Sequence, residues 1–138
     1  MAKRVREMRV AFQQRGEDSD DRAFAVAAKA AGRIAAAWGL TNAEAAALFG
    51  VSERTWSRLK AGGAGRHDMD QLMRMSGIVG LYKGLHLYFS DALANRWPKL
   101  TNSGAPFLNR TPVDYMKAGG LPAILETRGY VDALRGGA

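Results

Sequence analysis

Two arginines four residues apart, Arg54 and Arg58, are the side chains of this chain best suited to recognition chemistry. An arginine can donate two hydrogen bonds to guanine in the DNA major groove, and serine, threonine and lysine bind bases or phosphates. The surrounding run is polar and mostly basic, which favours DNA over its alternative, a merely solvated helix face. We predict base contacts from Arg54, Thr55 and Arg58, and phosphate contacts from Ser52, Lys60 and Arg66.

Residues 40–59 must position these side chains, and they resemble a DNA-binding helix-turn-helix. Ala46 is small where two helices would cross, Gly50 suits the turn, and Trp56 and Leu59 would face inward. Thr41 is a good cap for the first of these helices, and Ser52 caps the second. An ordinary helical hairpin with the same pattern is the alternative.

The charge of the chain favours a polyanionic partner. Its 138 residues include 20 lysines and arginines against 13 aspartates and glutamates, a formal charge of +7. Residues 1–66 hold 12 basic and 7 acidic side chains, so most of the surplus lies in the first half. A basic surface of this kind indicates nucleic acid without selecting it.

The sequence offers little for catalysis or metal binding. It contains no cysteine and two histidines, His67 and His86, without carboxylates at metal-ligand spacing. We find no nucleophile with an acid-base partner and no phosphate-binding glycine motif. We therefore predict a protein that is not an enzyme and has no catalytic residue, metal or cofactor. The absence of a signal peptide and of a membrane span predicts a soluble cytoplasmic protein without a membrane partner.

Helical periodicity and stop signals predict an all-α fold. A polar segment, residues 1–21, reads as a mobile arm or a short frayed helix, and an alanine-rich helix follows over residues 23–38. An apolar stripe from Leu72 to Leu93 predicts one long helix over about six turns. We expect this stripe to form core, with a homodimer surface as the alternative. Glycines 77, 80 and 84 predict a close helix approach or a local break within it. Two shorter helices follow, separated by the pair Gly119-Gly120.

The C-terminal third carries the most distinctive motifs. These are Asn95-Arg96-Trp97, Phe107-Leu108-Asn109-Arg110-Thr111-Pro112-Val113-Asp114-Tyr115, Gly119-Gly120-Leu121-Pro122 and Arg128-Gly129-Tyr130-Val131-Asp132. From the residues alone, Trp97, Phe107 and Tyr115 should hold a loop against a small helical core. Together with the helix-turn-helix, the motifs resemble the MbcA/ParS/Xre antitoxin family over roughly residues 23–137.

The resemblance implies an antitoxin that neutralises a RES-domain toxin, an enzyme that consumes NAD or transfers ADP-ribose from it. It implies that the C-terminal segment covers the toxin's active site, and that the antitoxin represses its own promoter. The toxin-binding residues would be Arg128, Tyr130, Leu134, Arg135, Gly136 and Gly137. Arg135 could instead serve only the helix dipole, with the glycines as a cap. Apolar residues of the last helix could face either the toxin or the core.

These inferences divide the chain into an arm over residues 1–21, an Xre-like helix-turn-helix module over 22–65 and a small helical toxin-binding domain over 66–138. Helix-turn-helix domains usually bind DNA as dimers, which predicts a homodimer. A stand-alone helix-turn-helix transcription regulator is the alternative function.

Overall fold

Helices account for most of the chain described by the computed structural model, which comprises residues 2–62 and 68–136, without the side chains of residue 12 and residues 15–20. Within these ranges, six α-helices and one short 3-10 helix follow one another, and no extended strand occurs. The helices are α1 (Ala2–Ala37), α2 (Asn42–Phe49), α3 (Glu53–Lys60), α4 (Met69–Tyr88), α5 (Asp91–Arg96) and α6 (Pro112–Arg135), with the 3-10 helix Trp97–Lys99 after α5. The all-α prediction is confirmed.

The N-terminal segment is a continuation of α1 and not a separate arm or a short frayed helix. α1 runs unbroken from Ala2 to Ala37. Phe24 is the first buried residue among those described, so the core anchors only the later part of the helix. Extending an anchored helix requires no new nucleation, and residues 2–21 contain no proline to stop it. The expectation that the alanine-rich helix begins only after residue 21 was therefore wrong.

Helix α4 is shorter than its apolar stripe predicts. It ends at Tyr88, and Phe89 adopts an extended conformation with φ −109° and ψ 163°. Ser90 then caps α5 by accepting a hydrogen bond from the Leu93 amide. Leu93 therefore lies on the next helix. The prediction of a single helix over six turns was wrong, because Ser90 caps a new helix. From Leu72 to Phe89 the stripe packs in or against the core, as expected.

Three glycines on α4 allow α6 to approach closely. A Cβ atom on Gly77 would lie 2.8 Å from Ile124 Cγ2, and one on Gly84 would lie 3.4 Å from Val131 Cγ1. Gly80 faces Arg128 in the same way. Since residue numbers rise together on both helices, α4 and the second part of α6 run parallel. The predicted close approach is confirmed, and α4 continues through all three positions without a break.

Gly120 divides α6 at the predicted position. Its φ of 68° and ψ of −150° lie outside the helical region, and Pro122 follows in the next turn. Before it, Thr111 caps the helix by accepting a hydrogen bond from the Asp114 amide, with Pro112 at the first position. The two short helices predicted from the sequence are therefore the two parts of α6, residues 112–119 and 121–135.

Replacing Gly120 by alanine should lower the free energy of unfolding by ~1–3 kcal/mol, because only glycine adopts this backbone conformation readily. The matched control is Gly129→Ala in the same helix, where an added Cβ meets nothing within 4 Å. That control should raise stability by roughly 0.5–1 kcal/mol through helix propensity alone. Urea unfolding of both variants tests this, and equal stability of Gly120→Ala and the parent would refute a fixed kink.

The loop before α6 is held by packed aromatic rings, as predicted for Trp97, Phe107 and Tyr115. The Trp97 and Phe107 ring centroids lie 5.7 Å apart, and those of Phe107 and Tyr115 lie 5.5 Å apart. Tyr130 joins the cluster, 6.2 Å from Trp97 and 5.3 Å from Phe107. Edge-to-face and offset stacking at these separations is favourable, so the cluster fixes the second part of α6 to the loop.

A capping box at α2 also ties distant elements together. Thr41 Oγ1 accepts a hydrogen bond from the Glu44 amide, and the Thr41 amide donates to Glu44 Oε1 at 3.0 Å. Lys99 Nζ lies 3.2 Å from the same carboxylate and donates to the Gly39 carbonyl at 2.8 Å. This arrangement joins the end of α1, the start of α2 and the 3-10 helix.

The hydrogen bond from the Thr41 amide is the main cause that lowers the pKa of Glu44 below its usual 4.5, with Lys99 acting in the same direction and partial burial opposing both. Because the folded pKa is the lower one, the ionised carboxylate stabilises the fold above pH 4.5, and this contribution is lost as the pH falls through the folded value. Glu44→Gln should therefore be less stable than the parent near pH 7, and the difference should shrink in acid. Thermal unfolding near pH 7 and in acid measures the difference, and Glu7→Gln, a change at an exposed residue, is the control. If the difference in stability does not change with pH, the charge of the Glu44 carboxylate does not stabilise the fold.

Candidate functional site: a helix-turn-helix and an exposed helix end

Helices α2 and α3 form a helix-turn-helix of the predicted kind. Gly50 adopts φ 68° between them, a left-handed conformation that favours glycine. Ala46 is buried where the helices meet, and the rings of Phe49 and Trp56 stack with centroids 4.9 Å apart. The inner faces of both helices are thus packed, which fixes the direction of α3.

The outward face of α3 carries Arg54, Ser57 and Arg58. At 100° per residue these positions lie on the side of the helix opposite the buried Trp56 and Leu59. All three are exposed. Neither arginine forms an ion pair with another described residue, so both guanidinium groups are available for a ligand. Their spacing of one helical turn suits adjacent contacts along a DNA groove.

The hydroxyls predicted for DNA contacts first serve the start of α3. Ser52 Oγ accepts a hydrogen bond from the Thr55 amide at 3.1 Å and donates one to Thr55 Oγ1 at 3.0 Å. Thr55 is half-buried, on the side of α3 away from Ser57. Ser57 is therefore better placed for a base contact than Thr55. The polar run around Trp56 gave no signal for this distinction, because the distinction depends on which side of α3 meets α2.

The other predicted phosphate contacts lie at the end of α3. Lys60 Nζ donates to Asn42 Oδ1 at 2.9 Å, which holds the ammonium near the start of α2. Lys60 also contacts α1, because a Cβ on Gly32 would lie 3.3 Å from Lys60 Cβ. Arg66 lies outside the described residues. The structure thus brings Ser52, Arg54, Thr55, Arg58 and Lys60 onto one short helix and its cap, and their DNA contacts stay a prediction.

The predicted toxin-binding residues divide into two groups. Arg128 and Tyr130 are engaged within the fold: the guanidinium of Arg128 lies over Gly80 with Nε 3.9 Å from Asp132 Oδ2, and Tyr130 belongs to the aromatic cluster. Tyr130 is half-buried and Arg128 remains partly accessible. Both residues therefore hold α6 in place, whatever else they contact.

The second group lies at the free end of α6. Leu134 is half-buried, and Arg135 and Gly136 are exposed. Gly136 has φ −69°, a conformation open to any residue, so the backbone here does not require glycine. Arg135 has no ion pair with any described residue. Gly137 falls beyond the last residue described.

Sequence reasoning missed two apolar residues beside this end. Leu87 and Tyr88 are the last residues of α4 and keep 72% and 45% of their surface exposed. Because α4 and α6 run parallel with Gly84 against Val131, one further turn brings Tyr88 level with Arg135. The sequence signal was present, since the three glycines and their partners Ile124, Arg128 and Val131 each span seven residues. It shows which residues pair only once the direction of α6 is known.

Arg74 connects the helix-turn-helix to the kink of α6. Its guanidinium donates to Asp70 Oδ2 at 2.9 Å and to the Leu48 carbonyl at 3.4 Å. A Cβ on Gly50 would lie 2.9 Å from Arg74 Cζ, and one on Gly120 would lie 3.1 Å from Arg74 Nη2. A single side chain thus packs against both the turn of the helix-turn-helix and the kink of α6.

The fold and the exposed α3 face define a protein of the helix-turn-helix class. Residues 25–80 match the family model described as antitoxin Xre-like helix-turn-helix domain, which covers the later part of α1, α2, α3 and the first part of α4. This part of the chain is therefore similar to the helix-turn-helix domain of Xre-like antitoxins, which supports a role as an antitoxin or a DNA-binding regulator. Neither the curated proteins nor the solved structures gave a match.

Two further findings concern the described residues. No described helix combines the length and the apolarity needed to cross a membrane. No group of three or more histidine, aspartate or glutamate side chains in the described part of the chain is arranged to hold a metal ion.

Proposed function

We propose that this protein is the antitoxin of a two-protein module, which neutralises a RES-domain toxin with its C-terminal segment and represses its own promoter through α3. The match of residues 25–80 to the antitoxin Xre-like domain is the observation that carries the proposal. In this role the chain is a regulator and not an enzyme, and it acts by binding.

The DNA-binding part of the proposal rests on charge and shape. Arg54 and Arg58 project from a helix whose other face is fixed by Trp56 and Leu59. A helix presented in this way fits the major groove, where a guanidinium reads guanine. Repression then follows from binding over the promoter of the module itself.

The toxin-binding part of the proposal rests on the free end of α6. Arg135 is a cation without an ion-pair partner among the described residues, Leu134 directly precedes it, and Tyr88 lies level with it at the end of α4. An arginine among apolar residues suits an acidic group in a concave site, because a bidentate ion pair gains strength where water is excluded. A catalytic cleft that binds NAD contains such acidic groups, and covering it would block the substrate.

We further propose that the antitoxin acts as a homodimer, since two linked helix-turn-helix domains on adjacent half-sites bind DNA far more tightly than one. Toxin bound at the C-terminal ends would leave both reading heads free. The RES toxin and the promoter are the partners in this account.

Co-purification with the product of the neighbouring gene tests the proposal against a stand-alone transcription regulator. We expect a tagged chain to retain a RES-domain protein through gel filtration, with a native mass that gives a fixed ratio of the two. A chain that binds the promoter but retains no RES-domain protein would support the stand-alone regulator and reject the antitoxin.

A further inference from the structure

The guanidinium of Arg74 lies between two backbone bends, the turn at Gly50 and the kink at Gly120. Both glycines have φ 68°. Neither position has room for a Cβ atom, because the guanidinium occupies the space on the side of each bend. The Arg74 side chain keeps only 18% of its surface exposed. One planar group thus packs against two parts of the chain that lie far apart in sequence.

Two hydrogen bonds hold this guanidinium in place. Arg74 Nε donates to Asp70 Oδ2, one turn earlier on α4, and Arg74 Nη1 donates to the Leu48 carbonyl of α2. The last four carbonyls of a helix have no donor within it, and the Leu48 carbonyl is one of them. The amides of Gly50 and Val51 bond to the two carbonyls before Leu48. Arg74 therefore completes the C-terminal end of α2 from α4, where a cation is also favoured by the helix dipole.

The turn that Arg74 supports sets the direction of α3. This helix begins at Glu53, directly after the turn, so a change of the backbone at Gly50 moves its whole outward face. The stacked rings of Phe49 and Trp56 fix the inner side of the helix pair, and Arg74 fixes the side that faces α4. Side chains that bind a ligand specifically must be held within about 0.5 Å of the productive geometry. Base recognition by α3 therefore requires a turn that does not shift.

We propose that Arg74 is a positioning residue for DNA recognition. It is held by the kink of α6, it fixes the turn at Gly50, and it thereby aligns the outward face of α3 with the base pairs without itself touching DNA. This inference rests on the DNA binding of the proposed function. It adds a residue on α4, and through that residue the C-terminal part of the chain, on which the selection of the promoter sequence depends.

Arg74→Met in the full chain tests the positioning role, because methionine keeps part of the apolar stem and removes both hydrogen bonds. Fluorescence anisotropy gives the affinity for the promoter fragment and for a duplex of the same base composition in scrambled order. We expect promoter affinity to fall at least about tenfold, the loss of one good base contact. Affinity for the scrambled duplex should change less than about twofold, because phosphate contacts carry no sequence information.

The salt dependence separates positioning from direct contact. A lost phosphate contact lowers the slope of log affinity against log salt by about one, whereas a positioning residue leaves the slope unchanged. Arg74→Lys keeps the charge and should lose promoter affinity as Arg74→Met does. A single ammonium does not reproduce the planar fork that bonds Asp70 and the Leu48 carbonyl and fills the space between the two bends.

The matched control is Arg110→Met. This arginine also donates to a backbone carbonyl at 3.4 Å, that of Phe107, and lies over the Tyr115 ring in the loop before α6. The control should bind both duplexes like the parent. Thermal unfolding and the active fraction from a titration at high DNA concentration identify any loss that comes from unfolded protein.

The α6 side of the contact has its own test. A Cβ atom on Gly120 would lie 3.1 Å from Arg74 Nη2, so Gly120→Ala should displace the guanidinium and lower promoter affinity severalfold. Gly129→Ala in the same helix meets nothing within 4 Å and should bind like the parent.

Three results would overturn the inference. Parent affinity and parent sequence selection in either Arg74 variant would leave DNA binding by α3 standing without this positioning residue. A salt slope lowered by about one in Arg74→Met would make Arg74 a direct phosphate contact. A parent chain that does not bind the promoter would overturn this inference together with the DNA-binding part of the proposed function.

Discussion

The double variant Arg54→Ala, Arg58→Ala should bind the module's promoter at least about 100-fold more weakly than the parent at fixed salt. Each bidentate arginine contact to guanine is worth ~1–3 kcal/mol, and both side chains lie on the outward face of α3. Toxin neutralisation should not change, because the free end of α6 lies on another part of the molecule. A titration followed by fluorescence anisotropy on the promoter fragment gives the affinity.

The matched control for this variant removes the same charge elsewhere. Arg96→Ala with Lys117→Ala takes two basic residues from the second half of the chain and should weaken promoter binding only slightly. Equal losses in the two double variants would mean that total charge and not the α3 face binds DNA. Measuring both at several salt concentrations separates the contributions, because each lost phosphate contact lowers the salt slope by about one.

Reversing one charge at the end of α6, Arg135→Glu, should weaken toxin neutralisation about 100-fold. In the proposed complex this guanidinium lies against an acidic group in the toxin's cleft. A carboxylate in its place would meet like charge with both groups poorly solvated. The fold should be unaffected, because Arg135 is exposed and pairs with no other described residue. Residual NAD consumption by a fixed amount of toxin, measured against added antitoxin, gives the effect.

The control for Arg135→Glu is the same reversal at another exposed arginine, Arg96→Glu, which should neutralise like the parent. A chain that ends at Leu134 provides a second test, since it keeps Tyr130 and Val131 and therefore the packing of α6. It should resemble Arg135→Glu. If both altered chains neutralise the toxin fully, the end of α6 is not part of the toxin interface.

Local signals in the sequence predicted the helix boundaries well where a single cap decides them. Thr41 with Glu44, Ser52, and Thr111 with Pro112 each satisfy backbone groups within one turn, so their neighbours alone determine the outcome. The turn at Gly50 follows from the same local chemistry. Together they sufficed to predict an all-α chain with a helix-turn-helix.

Predictions based on periodicity failed at two helix ends for opposite reasons. The stripe from Leu72 to Leu93 keeps its spacing across the end of α4, because Phe89 returns to the same core although the backbone has left the helix. In α1, the polar residues 1–21 suggested a mobile arm or a short frayed helix. An anchored helix can, however, extend through polar residues that have good helix propensity. Periodicity reports which residues face the core and not where the hydrogen bonds stop.

The candidate sites were harder to predict because they depend on contacts between distant elements. Tyr130 is part of the aromatic cluster only because the loop at Phe107 folds back onto α6. Tyr88 comes level with Arg135 through the parallel pairing of α4 and α6. Arg74 likewise meets Gly50 and Gly120, which are 24 and 46 residues away along the chain. No local pattern encodes such meetings.

Titrating the purified chain into the product of the neighbouring gene, proposed above to be a RES-domain toxin, while following that protein's turnover of NAD, tests the proposed division of labour between the two ends of the molecule. The account predicts that turnover falls to background once every toxin site has an antitoxin, and that the Arg54→Ala, Arg58→Ala variant inhibits equally well. Undiminished turnover with the parent chain in excess would show that the free end of α6 covers no catalytic site.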